Sequence, residues 1–329
     1  MYNINIKKED WHLSLEKLLS TYEVFVPVKD EYSLDYEPFR LPEAGKIAYN
    51  DPKPATPLKN FFLPVRENVT SARIEDKPRI IIGVPNCDVE ALKLLDEIYM
   101  EESFPDPFYR NRRNNTIIIS SDCFGINEHC HCLTYGVKPY PTGYSDMALV
   151  ADGEDVYLKV FSSKGEELAS QLTASNVMTD TSVVTFLEEK HKAVEDLLTS
   201  RNKGLPDYMT TGMLVQKAGN GIWEKYSSKC VSCGACTTIC PTCSCFLLID
   251  KPGFEKVKQM DACQYPGFER VAGGEDTLFE LPHRFRNRYM CKYVWRPQKF
   301  NAIACTGCGR CIEACIGRIN KNELFMELV

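Results

Sequence analysis

Apolar residues in the first two hundred positions recur with two different periods, and the switches between them outline the elements. The opening stretch, "MYNINIKKEDWHLSLEKLL", predicts a short strand followed by an amphipathic helix. Three β-branched runs follow, "YEVFVPV" (Tyr22 to Val28), "RIIIGV" (Arg79 to Val84) and "TIIIS" (Thr116 to Ser120), each bounded by Pro, Asn or Asp. After the second run, Asp88 is placed to cap a helix "VEALKLLDEIYM". "MALVADGEDVYLKVF" reads as a hairpin turning at Asp152-Gly153. A helix of mixed charge, "SVVTFLEEKHKAVEDLLTS" (Ser182 to Ser200), closes this half. "RNKGLPDYM" then interrupts the pattern with Gly and Pro, which predicts an α/β domain over 1–203 and a second domain over 204–329. The second part shows little strand alternation and reads as mainly α-helical and ferredoxin-like.

No run of eighteen apolar residues is present, so no bilayer-spanning segment is expected. Charges inside the first apolar pattern argue against a secretory leader. A net charge of −6 argues against general affinity for phosphate backbones. Sixteen cysteines without a secretion signal point to a reducing, cytoplasmic setting, where dense thiols serve metals rather than disulfides.

Cys230, Cys233, Cys236 and Cys240 follow C-x2-C-x2-C-x3-C, with Pro241 next; Cys305, Cys308, Cys311 and Cys315 repeat the spacing, with Ile316 in the proline position. Three cysteines at this spacing wrap a loop around one face of an iron–sulfur cube, and the fourth serves the other cluster of a two-cluster protein. The expected ligand sets are therefore Cys230, Cys233, Cys236 with Cys315, and Cys305, Cys308, Cys311 with Cys240. Gly234, Gly307 and Gly309 let the loop backbone come close to the sulfurs. Structural zinc is the alternative, but zinc sites usually space their cysteines as two separated pairs.

Cys87 follows one predicted strand, and Cys123, Cys130 and Cys132 follow the next, so these four form a candidate third site. His129 and His131 flank the C-x-C pair and offer further metal-binding nitrogens. Buried thiols packing as small hydrophobes are the competing reading. Cys243, Cys245, Cys263 and Cys291 form a candidate fourth set, with packing around the first two clusters as its competitor.

Taken together, "TPLKNFFLPVRE", "GVPNCDVEALKLLD", "DPFYRNRRNNTIII", "CVSCGACTTICPTCSCF", "DACQYPGF", "AGGED" and "CTGCGRCIEAC" resemble, in this order, the iron–sulfur subunit family shared by anaerobic sulfite reductases and cytoplasmic sulfhydrogenases, where it is the beta subunit. The resemblance implies an electron-transfer role between a flavin-bearing reductase subunit, which oxidises NAD(P)H, and a terminal catalytic subunit. The family usually has Asn-Cys-Phe-Cys where this chain has His129-Cys130-His131-Cys132, which makes the surroundings of that pair more polar. A histidine is usual near position 291, so Cys291 reads as a substituted ligand. Ile316 in place of proline alters a turn but no ligand.

No Gly-x-Gly-x-x-Gly fingerprint and no Walker loop is visible, so flavin and nicotinamide are expected on a partner. Two rival classes are an enzyme acting at an open N-terminal cluster with three protein ligands, and a cluster-stabilised nucleic-acid binder. The second rests on the basic, aromatic run "HRFRNRYMCKYVWRPQK" (His283 to Lys299); its position between the cluster motifs favours instead charges that raise a cluster potential or dock an acidic partner. The expected inventory is two 4Fe-4S clusters, a third and a fourth candidate, no catalytic residue, no nucleic acid and no membrane.

Overall fold

The computed structural model describes residues 4–70, 77–172 and 181–329. Ten strands are present among them: β1 (Ile4–Lys7), β2 (Glu23–Lys29), β3 (Leu34–Pro38), β4 (Arg66–Asn68), β5 (Arg79–Pro85), β6 (Thr116–Ser121), β7 (Met147–Asp152), β8 (Asp155–Val160), β9 (Phe246–Lys251) and β10 (Glu255–Met260). Seven form one mixed sheet in the order β1-β8-β7-β6-β5-β2-β3. Its centre, β7-β6-β5-β2, is parallel, and the flanking strands pair antiparallel.

The three β-branched runs became β2, β5 and β6 because a central parallel strand is covered on both faces. The side-chain period of two then divides each run between two cores. Ile80, Ile82, Ile117 and Ile119 face the first helix, Lys8–Leu18, through Trp11 and Leu15. Ile81 and Ile118 pack on the other face with Leu58, Phe62, Leu92 and Leu95. A bulge at Gly83 bends β5; its φ is +74°, and a Cβ there would lie 2.5 Å from Pro27 Cγ, so only glycine fits. The hairpin turns at Gly153 as its sequence indicates.

Two expectations change. The helix after β5 spans Asn86–Tyr99, and Asp88 lies inside it rather than capping it. Asp88 instead accepts from Leu58 N (3.1 Å) and from the Arg310 guanidinium (2.5 and 2.9 Å), with both side chains buried. The second part is also less helical than its sequence suggested. Its helices are short, and β9 and β10 form a hairpin whose exposed face weakens the apolar alternation. Moreover β10 pairs with β4, so this small sheet joins segments from both sides of residue 203. A mainly aromatic core, including Trp223, Phe285, Tyr289, Tyr293 and Phe325, supports the cysteine loops of this part.

Candidate metal centres

The first dense run lies on a loop whose reversal at Gly234 (φ +73°) opens the short helix Ala235–Thr238. Cys230, Cys233 and Cys236 line one cavity, and Cys315 of the second run lines it with them. Cys311, assigned by spacing to the other set, lines it as well, as do Gln264, Arg288 and Lys321. Arg288 is buried; its Nη2 donates to Cys236 O at 3.3 Å, while its Nε makes no hydrogen bond to any described residue. Gln264 Oε1 is likewise buried and unpartnered. A guanidinium in this position fits an anionic occupant with several acceptors, as thiolate-bound iron sulfide is. Burial pushes the Cys236 thiol up to about 11 and raises Cys230 as well.

Cys240 leaves the first run and points elsewhere. Its Sγ accepts from Lys292 Nζ at 3.1 Å, and that ammonium also donates to Thr242 Oγ1 (2.8 Å) and to Ala304 O (3.1 Å), the residue before Cys305. Cys240 and Cys308 lie within electrostatic reach of each other. Lys292 thus lies against Cys240 and Cys305, and Cys308 lies near Cys240, whereas Cys311 lines the first cavity near Cys236. A hydrogen bond from Cys243 and the Lys292 and Lys59 ammoniums hold Cys240 well below the usual thiol range against the effect of burial. Burial works against the Lys292 ammonium, but the facing Cys240 and Cys243 outweigh it and raise its pKa.

The N-terminal candidates come together through strand register. In the parallel pair β5–β6, Pro85 stands opposite Ser121, and Cys87 and Cys123 each follow two residues later. Ligands in open parallel sheets gather at such carboxyl ends. Cys130 and Cys132, on the loop after β6, complete the lining of one small cavity with Lys53, Gly307 and Cys308. Lys53 Nζ sits 3.7 Å from Cys130 Sγ and 2.8 Å from Glu313 Oε1. Burial raises Cys87 and Cys123 and pushes Cys132 up to about 12.

This cavity and the second dense run touch at the backbone. His131 N donates to Gly307 O at 2.8 Å, and a Cβ on Gly307 would come within 2.6 Å of Cys132 N. The two histidines do not line the cavity. His131 is fully buried; its Nδ1 meets His129 O at 2.8 Å and its Nε2 meets Lys321 Nζ at 2.8 Å. Burial and Lys321 hold its pKa well below the usual range, so the ring is neutral and accepts from Lys321.

Of the remaining four cysteines, three converge. Cys243 contacts Cys240, and Cys245 hydrogen-bonds Cys263. That bond, with Arg288 nearby, brings Cys263 down to about 6 despite burial. Cys291 joins the group through Arg296, which faces Cys291, Cys243 and Cys245 alike.

Sequence reasoning missed the buried cations Lys53, Lys59 and Arg310, and it set the charges of the run holding Arg288 and Lys292 near a cluster without placing them in the interior. Lys53 and Lys59 carry no local signal. Arg288 and Lys292 do carry one, a four-residue spacing inside a run whose composition suggests a surface. The thiol groups line cavities rather than meeting at points, and no three His, Cys, Asp or Glu side chains among the described residues are placed to hold a single metal ion.

Residues 229–319 match the family model of the 4Fe-4S dicluster domain. Over 321 residues, covering 91% of this chain and 86% of the relative, the sequence is 31% identical to the Sulfhydrogenase 2 subunit beta of Pyrococcus furiosus. Among the described residues no helix is long and apolar enough to cross a membrane.

Proposed function

The chain belongs to the iron–sulfur subunit family of anaerobic sulfite reductases and sulfhydrogenases, and from that premise we propose that it is the electron-transfer subunit of a multi-subunit cytoplasmic oxidoreductase. A flavin-bearing subunit that oxidises NAD(P)H delivers electrons to it, and a terminal subunit of the hydrogenase or sulfite reductase kind receives them. When bound, the clusters supply one-electron carriers. The chain's own residues hold them, exclude water and set the local field.

The observation that carries this reading is the shared cavity of Cys230, Cys233, Cys236 and Cys315, which Cys311 also lines. Residues some eighty positions apart meet there in the crossed pattern of a two-cluster protein, beside a buried guanidinium that needs an anion. We assign the second cluster to Cys305, Cys308, Cys311 and Cys240. The third goes to Cys87, Cys123, Cys130 and Cys132, whose lining of one cavity supports it. The convergence of Cys243, Cys245 and Cys263 supports a fourth, with Cys291 as its remaining ligand. The rival reading of His283 to Lys299 as a phosphate-binding face loses its basis, because Arg284, Arg288 and Lys292 are buried.

Anaerobically purified chain should be brown, bleach with dithionite and carry about four irons per assigned cluster. A colourless, zinc-loaded protein of the same fold sinks the reading. With no dinucleotide fingerprint in its sequence, the chain alone should neither bind nor oxidise NAD(P)H, and adding the flavin-bearing subunit should start reduction. Tight binding of flavin or NAD(P)H by the isolated chain would contradict this division of labour.

A further inference from the structure

The basic run from His283 to Lys299 has an inward-facing order of its own. Arg284, Arg288, Lys292 and Arg296 recur at every fourth residue along the helix Leu281–Met290 and the turns that continue it. The first three are 6%, 4% and 3% exposed, and Arg296 is half-buried. Lys292 Nζ lies 3.1 Å from Cys240 Sγ, Arg288 lines the cavity of Cys230 and Cys236 and donates to Cys236 O at 3.3 Å, and Arg284 and Arg296 lie within electrostatic reach of Cys230 and Cys245.

A step of four overshoots a turn of 3.6 residues, so in a regular helix such a row drifts around the axis. Here the winding widens to a π-helical turn over Cys291–Trp295, which offsets the drift. Lys292 and Arg296 accordingly meet the same residue, Thr242, one at Oγ1 and the other at its carbonyl.

The partners of these cations are unusual for buried charges. Arg284 donates to the carbonyls of Gln264, Leu278 and Phe279, and Arg288 to that of Cys236. Lys292 donates to a thiol, a hydroxyl and a carbonyl, and Arg296 to a carbonyl and the Ser244 hydroxyl. Among the described residues, none of the four forms an ion pair with a carboxylate. Neutral dipoles do not cancel a buried charge, and an isolated one costs several kcal/mol even after relaxation. The compensating charge must come from the cysteine side of the row. At the N-terminal cavity the arrangement differs, because its buried Lys53 is already paired with Glu313 at 2.8 Å.

We propose that Arg284, Arg288, Lys292 and Arg296 form an internal counter-charge stripe that stabilises the added electron at the C-terminal sites, so that these sites are reduced at higher potential than the N-terminal one. This rests on the electron-transfer reading above. The stripe positions charge and takes no part in bond making. Electrons arriving anywhere on the chain then settle first along the stripe.

The test is an EPR-monitored redox titration of the whole chain, purified anaerobically, with the N-terminal signal identified by its loss in Cys132→Ala. In the unaltered protein that signal should appear last on reduction. Lys292→Met should shift the signal of the Cys240 site to lower potential and leave the N-terminal signal in place, while Lys292→Arg should restore it. An unshifted potential in Lys292→Met with full iron overturns the proposal. If Lys292→Met loses iron while Lys292→Arg keeps it, charge compensation is supported. Equal loss in both means that side-chain shape matters instead, and the proposal fails. Arg296→Gln, at a half-buried position, should also shift a C-terminal signal downward with iron intact, and no shift there counts against the stripe. Absence of any cluster in the unaltered chain refutes the electron-transfer reading itself, before any variant is compared.

Discussion

Arg310 offers the sharpest test of how the two parts of the chain depend on each other. It lies between Cys308 and Cys311, yet its guanidinium reaches Asp88, the neighbour of Cys87, at 2.5 and 2.9 Å. It also makes two hydrogen bonds to Pro54 O, at 2.9 and 2.8 Å. The two side chains are 1% and 0% exposed. Replacing Arg310 by Met leaves the Asp88 carboxylate buried, with Leu58 N still donating to it at 3.1 Å. Breaking one side of such a pair costs about 3–5 kcal/mol, because the orphaned charge stays desolvated. At roughly 2–4 °C per kcal/mol for a domain of this size class, an anaerobic melt of Arg310→Met should fall by roughly 6–20 °C.

The pair's own worth is a separate matter, since both charges were desolvated to form it. Asp88→Leu should cost about as much as Arg310→Met, by the same reasoning applied to the guanidinium. The double variant removes both charges and fills the space with apolar atoms, so it should be more stable than either single one. Iron per chain, measured alongside, shows whether the sites on both sides of the pair survive. Additive losses in the double variant, or a single-variant cost under about 1 kcal/mol, would refute the claim that a buried ion pair joins the two cysteine-bearing regions.

Three further outcomes follow from the same geometry. Cys240→Ala should damage the site of Cys305, Cys308 and Cys311 while leaving the Cys230 site's EPR signal intact; the reverse result overturns the crossed assignment. Cys130→Ala or Cys132→Ala should remove about one cluster's worth of iron with both C-terminal signals retained, and unchanged iron would make these thiols packing residues. Gly307→Ala forces a Cβ to within 2.6 Å of Cys132 N at a φ of +69°, so the variant should lose stability by more than about 1 kcal/mol, and a melt equal to that of the unaltered chain would show that the two loops do not touch.

The central strands were readable as strands because their β-branched runs are short and bounded by turn residues, while their parallel pairing comes from the structure. Ile80 to Ile82 and Ile117 to Ile119 carry that signal, and their burial on two opposite faces follows from the pairing. The convergence of Cys87 and Cys123 was also accessible, since it follows from adjacency of two consecutive strands. Asp88 misled because a capping residue and a residue paired across 222 positions look alike in sequence. The hairpin β9–β10 was missed for a related reason. Phe246, Leu247 and Leu248 are all substantially exposed, so no alternation between wet and dry faces marks the strand. His129 and His131 looked like ligands by type and spacing, but the ring of His131 turns to Lys321 once the loop packs on Gly307.

The basic run exposes a limit of reading charge along a chain. A net charge of −6 describes the surface that the solvent meets. It says little about the field inside, where Arg284, Arg288, Lys292 and Arg310 are all buried. Only Arg310 among these four faces a carboxylate in the described residues, and the other three face cysteines. Thiols are uncharged in any formal count, and they become anions when they bind iron. The interior of this chain therefore balances only when its cysteines are treated as charged, so the cations and the clusters are parts of one electrostatic arrangement. Without metal, Arg288 and Arg310 would face thiols, Cys236 and Cys308, whose pKa values burial has raised, whereas Cys240 beside Lys292 is held low. Iron bound by these cysteines would therefore add to the stability of the C-terminal part, because it turns the thiols facing Arg288 and Lys292 into anions.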